Sequence, residues 1–455
     1  AVDEQLEIDI PVERTVKVKT KPGLETSVAT ENRRRIYRWN PPHQGFGCDA
    51  NRDFTVRETP DVQISSFANW EEVGRWYAEM EKSRRVLSPA VRSKADELTQ
   101  GLSTDLEKVA ALYDFTAGKI KYFSTVSFGI GGYEPHTADE VLQTQYGDCK
   151  DKDALLGALL EAKGFHAASV LINPIRELDP DIPSPWPFTH VITMLQLGND
   201  EIWMDASTGV LPFRMIPYPL RKKQALVIPP EGIPHFEETP IEPPMLSAWK
   251  EEIDGKVDEN GALDATVSIR VRGDAEVALR QGFLNSVESA RPAIVQTLIR
   301  GVNGQLSDVK ISDPAMTREP FNLSFRISKP EFLPNKGNGS DLALPMPEFS
   351  LATVPAGVEE TWLIGSRSGT PGEYTYQIKL ELASRFTLQT PPALRLKREY
   401  GTYTARYELE DNLLQAERKL ILNSREISSA VAEDYKAFRE KVSADAEQKL
   451  MFIAK

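Results

Sequence analysis

The sequence predicts an α+β protein in which a helical segment is set between two β-rich regions. Three observations carry this reading. Polar and apolar residues alternate near the N-terminus, helical spacing takes over from about residue 69, and alternation returns beyond a proline-rich stretch at 229–244. The implied domains are 1–68, 69–235 and 245–455. At 455 residues each can build its own core, taking roughly 150 residues per domain as a guide.

The elements follow in order. From Leu6 to Arg57, runs such as Val16-Lys17-Val18-Lys19 read as strands, broken at Pro22-Gly23 and Pro41-Pro42. Asn69 with Glu72 has capping-box spacing, and Val73, Trp76, Tyr77 and Met80 then share a helical face. Ser88-Pro89 and Thr104 with Glu107 open two more helices, and Thr137 with Glu140 opens a short one that ends before Tyr146-Gly147. Asp148 caps a helix from Cys149 to about Lys163, stopped by Gly164 and apolar nearly all round, which places it at the centre of its domain. His190–Leu197 and Glu201–Ser207 flank Gly198-Asn199-Asp200 as a hairpin. Beyond residue 245 the runs Leu263 to Val271, Phe321 to Ile327 and Tyr374 to Leu382 read as antiparallel sheet. One helical stretch near 286–300 interrupts it, and a helix carrying Val431, Tyr435, Phe438, Val442 and Ala446 closes it.

Composition narrows the function. A net charge of −13 opposes phosphate backbones, so nucleic-acid binding is not expected. No stretch of about 18 apolar residues predicts a membrane span. The numbering starts at Ala1 and not at methionine, so a removed targeting segment is compatible with the sequence. Two cysteines, Cys48 and Cys149, cannot build a disulfide framework. The five histidines stand singly, so neither a metal site nor a cofactor is expected.

The chemistry converges on Cys149. A thiol in the first turn of a helix meets unpaired backbone N–H groups and the positive end of the peptide dipoles, which favour thiolate. If Gly198-Asn199 is a two-residue turn, Asp205 lies opposite Ile192 and diagonal to His190, roughly 7 to 8 Å away on the same face. A three-residue loop would put the two side chains on opposite faces unless a bulge intervened. Taken singly, a core cysteine, a satisfied strand histidine and a turn carboxylate are the plainer readings of these three residues.

Together the motifs resemble a known family. Tyr146-Gly147-Asp148-Cys149-Lys150-Asp151-Lys152, then Ala154-Leu155-Leu156, resembles the cysteine motif of the transglutaminase-like superfamily. Thr189-His190-Val191-Ile192 and Trp203-Met204-Asp205-Ala206-Ser207 resemble its histidine and aspartate strands, in the papain-like order. The stretch up to Tyr77 is similar to the end of an uncharacterised β-domain that precedes this core in many bacterial, often exported, proteins. The resemblance implies a papain-like core flanked by β-sandwich-like domains and a Cys149–His190–Asp205 triad acting on a protein or peptide substrate through a thioester. It also implies a periplasmic or otherwise extracytoplasmic setting. Hydrolysis is the expected outcome, with aminolysis as the variant and a non-catalytic protein-binding scaffold as the alternative. The Cys149 N–H is expected at the oxyanion. Tyr122 and Tyr133 are candidates for a second donor, though packing of their rings is the plainer reading.

Weaker motifs have plainer readings. Gly129-Ile130-Gly131-Gly132 lacks the third glycine of a dinucleotide fingerprint. Asp258-Glu259-Asn260-Gly261 reads as a hairpin turn, Arg33-Arg34-Arg35 as a solvated strand end, and Cys48 lies in a loop without a visible partner.

Overall fold

The computed structural model describes residues 5–40, 61–123, 132–298, 304–333, 340–349, 351–354, 361–363 and 371–454. Cys48 and Gly129-Ile130-Gly131 lie outside them. The chain divides into two compact units, Ala1–Ile241 and Glu242–Lys455.

In the first unit, β1 (Leu6–Pro11), β3 (Glu25–Glu31) and β4 (Arg34–Asn40) form an antiparallel sheet in the order β1-β4-β3. β2 (Lys17–Thr20) pairs instead with β5 (Val62–Ser65). Asn32 and Arg33 both take positive φ between β3 and β4, a primed hairpin turn, so the arginine run does begin at a strand end.

Five helices follow: α1 (Trp70–Lys82), α2 (Pro89–Thr99), α3 (Asp105–Lys119), α4 (Ala138–Thr144) and α5 (Cys149–Glu161). Their starts are those the caps predict. The Asn69 side chain accepts from Glu72 N, Ser88 from Val91 N, Thr104 from Glu107 N and Thr137 from Glu140 N. Two short strands, β6 (Lys121–Tyr122) and β7 (Tyr146–Gly147), pair in parallel just ahead of α5.

The antiparallel sheet that carries the site comprises β8 (Ala167–Ile172), β9 (His190–Leu197), β10 (Asp200–Met204), β11 (Gln224–Ile228) and β12 (His235–Glu238), in the order β10-β9-β8-β11-β12. Helix α5 is central: Asp151 to Leu160 are buried without interruption, and its leucines pack with α2, α3, α4 and the sheet. Gly157 in its middle has a packing reason, since a Cβ there would lie 2.4 Å from the Arg85 guanidinium carbon. Ile192, Trp203 and Val227 cover the other face of the sheet.

The second unit is built on an eight-stranded sheet in the order Gln305–Ile311, Phe321–Lys329, Leu263–Arg272, Ser247–Val257, Gly372–Leu382, Leu413–Leu422, Gly401–Glu410, Leu394–Lys397. Every pairing is antiparallel except Ser247–Val257 with Gly372–Leu382, which is parallel. One face buries Val267, Ile269, Phe321, Phe325 and Ile378. Helix Ala432–Ala446 buries Tyr435, Phe438 and Val442, as its spacing predicts, and Asp445 accepts from the Tyr403 and Tyr407 hydroxyls at 2.6 and 2.8 Å.

One expectation changes here. Helix Arg291–Leu298 falls within the helical stretch expected near 286–300, but a second helix, Asp274–Leu284, precedes it. Gly273 (φ +86) turns the chain straight out of a strand, and the fully buried Glu276 binds both Arg280 and Arg272. Polar residues at the buried positions hide the helical period that apolar ones would display.

Candidate active site

Helix α5 delivers Cys149. Asp148 Oδ1 accepts from the N–H groups of Lys150 (3.1 Å) and Asp151 (3.3 Å), while Asp151 Oδ2 accepts from Asp148 N at 3.0 Å. Asp151 also accepts from the backbone N–H of His136 at 2.8 Å. The first turn is thus held by reciprocal caps that leave the Cys149 N–H without an acceptor among the described residues. Cys149 is half-buried and packs against the apolar cluster that includes Phe188 and Val191.

The hairpin delivers the other two side chains. Asp200 pairs with Leu197 and Met204 with Thr193, so the turn has two residues and Asp205 follows opposite Ile192. This is the register in which His190 and Asp205 share a face. Gly198 at φ +62 makes the tight turn accessible. The His190 ring closes the diagonal, with Nε2 2.9 Å from Asp205 Oδ2. Asp205 is almost wholly buried, and its other oxygen accepts from Ser207 N at 2.9 Å.

The electrostatics follow from this geometry. Burial by itself would lower the His190 pKa, but the Asp205 carboxylate and a side-chain hydrogen bond with Cys149 outweigh it and hold the imidazolium well above its ordinary 6.5. Burial pushes Asp205 up, and His190 with the Ser207 bond outweighs that and keeps its carboxyl below the ordinary 3.8. The structure therefore brings Cys149, His190 and Asp205 together. Tyr122 pairs in the β6–β7 ladder with Gly147, two residues before Cys149. Tyr133 gives its hydroxyl to Pro185 O at 2.9 Å and sets its ring on Trp76, which is the packing reading.

Several supporting residues escaped the sequence reading. The Tyr113 hydroxyl lies 3.1 Å from Asp205 O and 3.0 Å from Leu211 O, pinning the segment that carries the carboxylate. Lys152, one turn after Cys149, is buried and donates to Ala117 O (3.1 Å) and Ile120 O (2.7 Å) at the end of α3. Burial lowers its pKa to about 8 against the pull of Asp205. Asp153 binds Arg85 at 2.8 Å and Thr193 Oγ1 at 2.5 Å, tying α5 to β9, and it also bonds Ser169. Glu81 completes this cluster, 2.8 Å from Arg85 and 2.6 Å from Ser169; burial raises its pKa to about 7. The available signal was the charged run Lys150 to Asp153, which continues past the first turn of a helix that is apolar from Ala154 to Leu160.

Residues 92–192 match the transglutaminase-like superfamily, and residues 368–452 match a domain of unknown function with solved structure, DUF3858. Residues 92–192 are thus a transglutaminase-like segment within the α+β core of the first unit. No curated protein matches it. Among solved structures, a "putative protease" from Parabacteroides distasonis has the same fold: 13% identity, 99% of this chain and 72% of that chain covered, TM-score 0.55. A "putative cysteine protease" from Cytophaga hutchinsonii aligns at 16% identity over 46% of this chain and 68% of that one, with a TM-score of 0.23.

Proposed function

We propose that the protein is a cysteine-dependent enzyme acting at amide carbonyls of a protein or peptide, with hydrolysis as its main outcome. The observation that carries this is the convergence of Cys149, His190 and Asp205 on one helix end and one hairpin. With Nε2–H donated to Asp205, the other ring nitrogen Nδ1 is left for the Cys149 sulfur. Sγ would attack the carbonyl carbon, and the free Cys149 N–H would meet the developing oxyanion. The C–N bond then breaks as His190 gives its proton to the leaving amine, leaving a thioester. Water, deprotonated by His190, would cleave the thioester and regenerate the sulfur. Asp205 fixes the ring's tautomer and stabilises its charged form throughout. The protease description of the Parabacteroides neighbour supports the same class.

The test incubates the protein with a peptide mixture, with and without a primary amine, and reads products by mass. New peptide termini that vanish in Cys149→Ala support hydrolysis. Ammonia release with amine incorporation would replace it by transamidation. No Cys149-dependent product and no trapped thioester would favour a non-catalytic scaffold.

A further inference from the structure

A different part of the molecule points to a ligand. On the outer face of the eight-stranded sheet, the register sets Lys250 directly opposite Arg270, and Arg270 opposite Asn322. The neighbouring rung on that face runs Glu252, Ser268, Ser324, Lys310. Like charges directly opposite on adjacent strands repel, so the Lys250–Arg270 pairing costs stability in the empty protein. Lys250 has a partial answer in Glu252 at 2.8 Å. Arg270 and Lys310 have none: among the described residues neither side chain makes a hydrogen bond or an ion pair. Both are exposed.

These side chains line an open concavity of about 430 Å³. Its lining is cationic and rich in hydroxyl and amide groups, with Ser268, Ser312, Asn322 and Ser324 beside the three cations. Ile269 and Leu323 at its floor are only 2% exposed, and no aromatic ring lines it, so it offers nothing for a sugar ring to stack on and no apolar slot for a bulky side chain. Ser312 is fixed in place: its N–H donates to Asn322 O and its Oγ accepts from Asn322 N, each at 2.9 Å. The chain as a whole carries −13, so this concentration of positive charge, with Glu252 its one carboxylate, runs against the general field.

We propose that this concavity binds the phosphate or carboxylate group of a small polar molecule, with Arg270 as the bidentate fork and Lys250 and Lys310 as flanking charges. An oxyanion seated between Lys250 and Arg270 turns a repulsion into two charge-assisted bonds, and the serine hydroxyls and the Asn322 amide remain for the polar remainder of the ligand.

The experiment titrates the full chain at low ionic strength with inorganic phosphate and, separately, with citrate, by calorimetry and by thermal unfolding. Sodium chloride at matched ionic strength is the reference. The expected result is a saturable heat and midpoint shift with at least one of the two anions. Arg270→Gln weakens it about tenfold or more, and Arg270→Lys weakens it less. Phosphate alone saturating assigns the site to phosphate; citrate alone assigns it to carboxylate. In anion-free buffer Arg270→Gln unfolds at the same temperature as wild type or higher, because the like-charge pair is gone. Shifts no larger than those of sodium chloride, or equal in wild type and Arg270→Gln, overturn the proposal.

Discussion

The 2.9 Å bond between His190 and Asp205 is largely buried and joins two groups whose pKa values shift in opposite directions, so it couples folding to pH. His190 has a raised pKa. Its contribution to stability is complete below the unfolded value near 6.5 and fades as pH rises through the higher folded value. Asp205 has a lowered pKa. Its contribution is complete above about 3.8 and is lost as pH falls through the folded value. Both act fully between those limits. Thermal midpoints of wild type and Asp205→Asn should therefore differ most near pH 5 and converge on either side, and a difference independent of pH would remove the charge pair from the account. The same variant should lose on the order of 10² to 10⁴ in turnover while keeping its fold, since it retains the size of the side chain but not the charge that steers the ring. His190 and Asp205 were legible as partners only on condition of a two-residue turn, because a hairpin's register can be counted from its turn once the length of that turn is known. Tyr113 was not, because its tie to Asp205 O spans 92 positions and no local rule predicts it.

At the scale of elements, α5 is held from below by a buried polar cluster as well as by leucines. Arg85 stands between Glu81 and Asp153, two carboxylates for one guanidinium, and burial leaves Glu81 easy to protonate. The folded value near 7 exceeds the unfolded value of 4.5, so the fold holds this proton more tightly than the unfolded chain does. The Glu81 contribution to stability is greatest below about 4.5 and declines as pH rises towards about 7. Glu81→Gln should flatten that decline and match or exceed wild type in urea midpoint at pH 8. A slope like that of wild type would place the titration elsewhere. The helix starts were legible because a cap is a contact over three residues, as at Thr104 and Glu107. Helix Asp274–Leu284 was not, because its buried face carries Glu276 and Arg280, which neutralise each other only once folded.

For the whole molecule, the three site residues, the polar cluster and Tyr113 all lie within Ala1–Ile241. Residues 1–241 expressed alone should alkylate Cys149 with iodoacetamide at the rate of the full chain, and His190→Ala should slow both equally. A large loss of labelling confined to the shorter chain would mean that the second unit supports the site. Among the described residues no helix is long and apolar enough to cross a membrane.

What the sequence determined by itself was short-range. Caps at Asn69, Thr104, Thr137 and Asp148, the presence of a hairpin about Gly198, and the change of hydrophobic period each depend on contacts within a few positions, where sterics and single hydrogen bonds leave few alternatives. Tertiary structure alone decided that Cys149 meets a ring 41 positions away, that Asp153 ties α5 to Thr193, and that Lys250 faces Arg270. Such meetings result from many weak contacts summed over the packed chain, and no local pattern of residues encodes that sum.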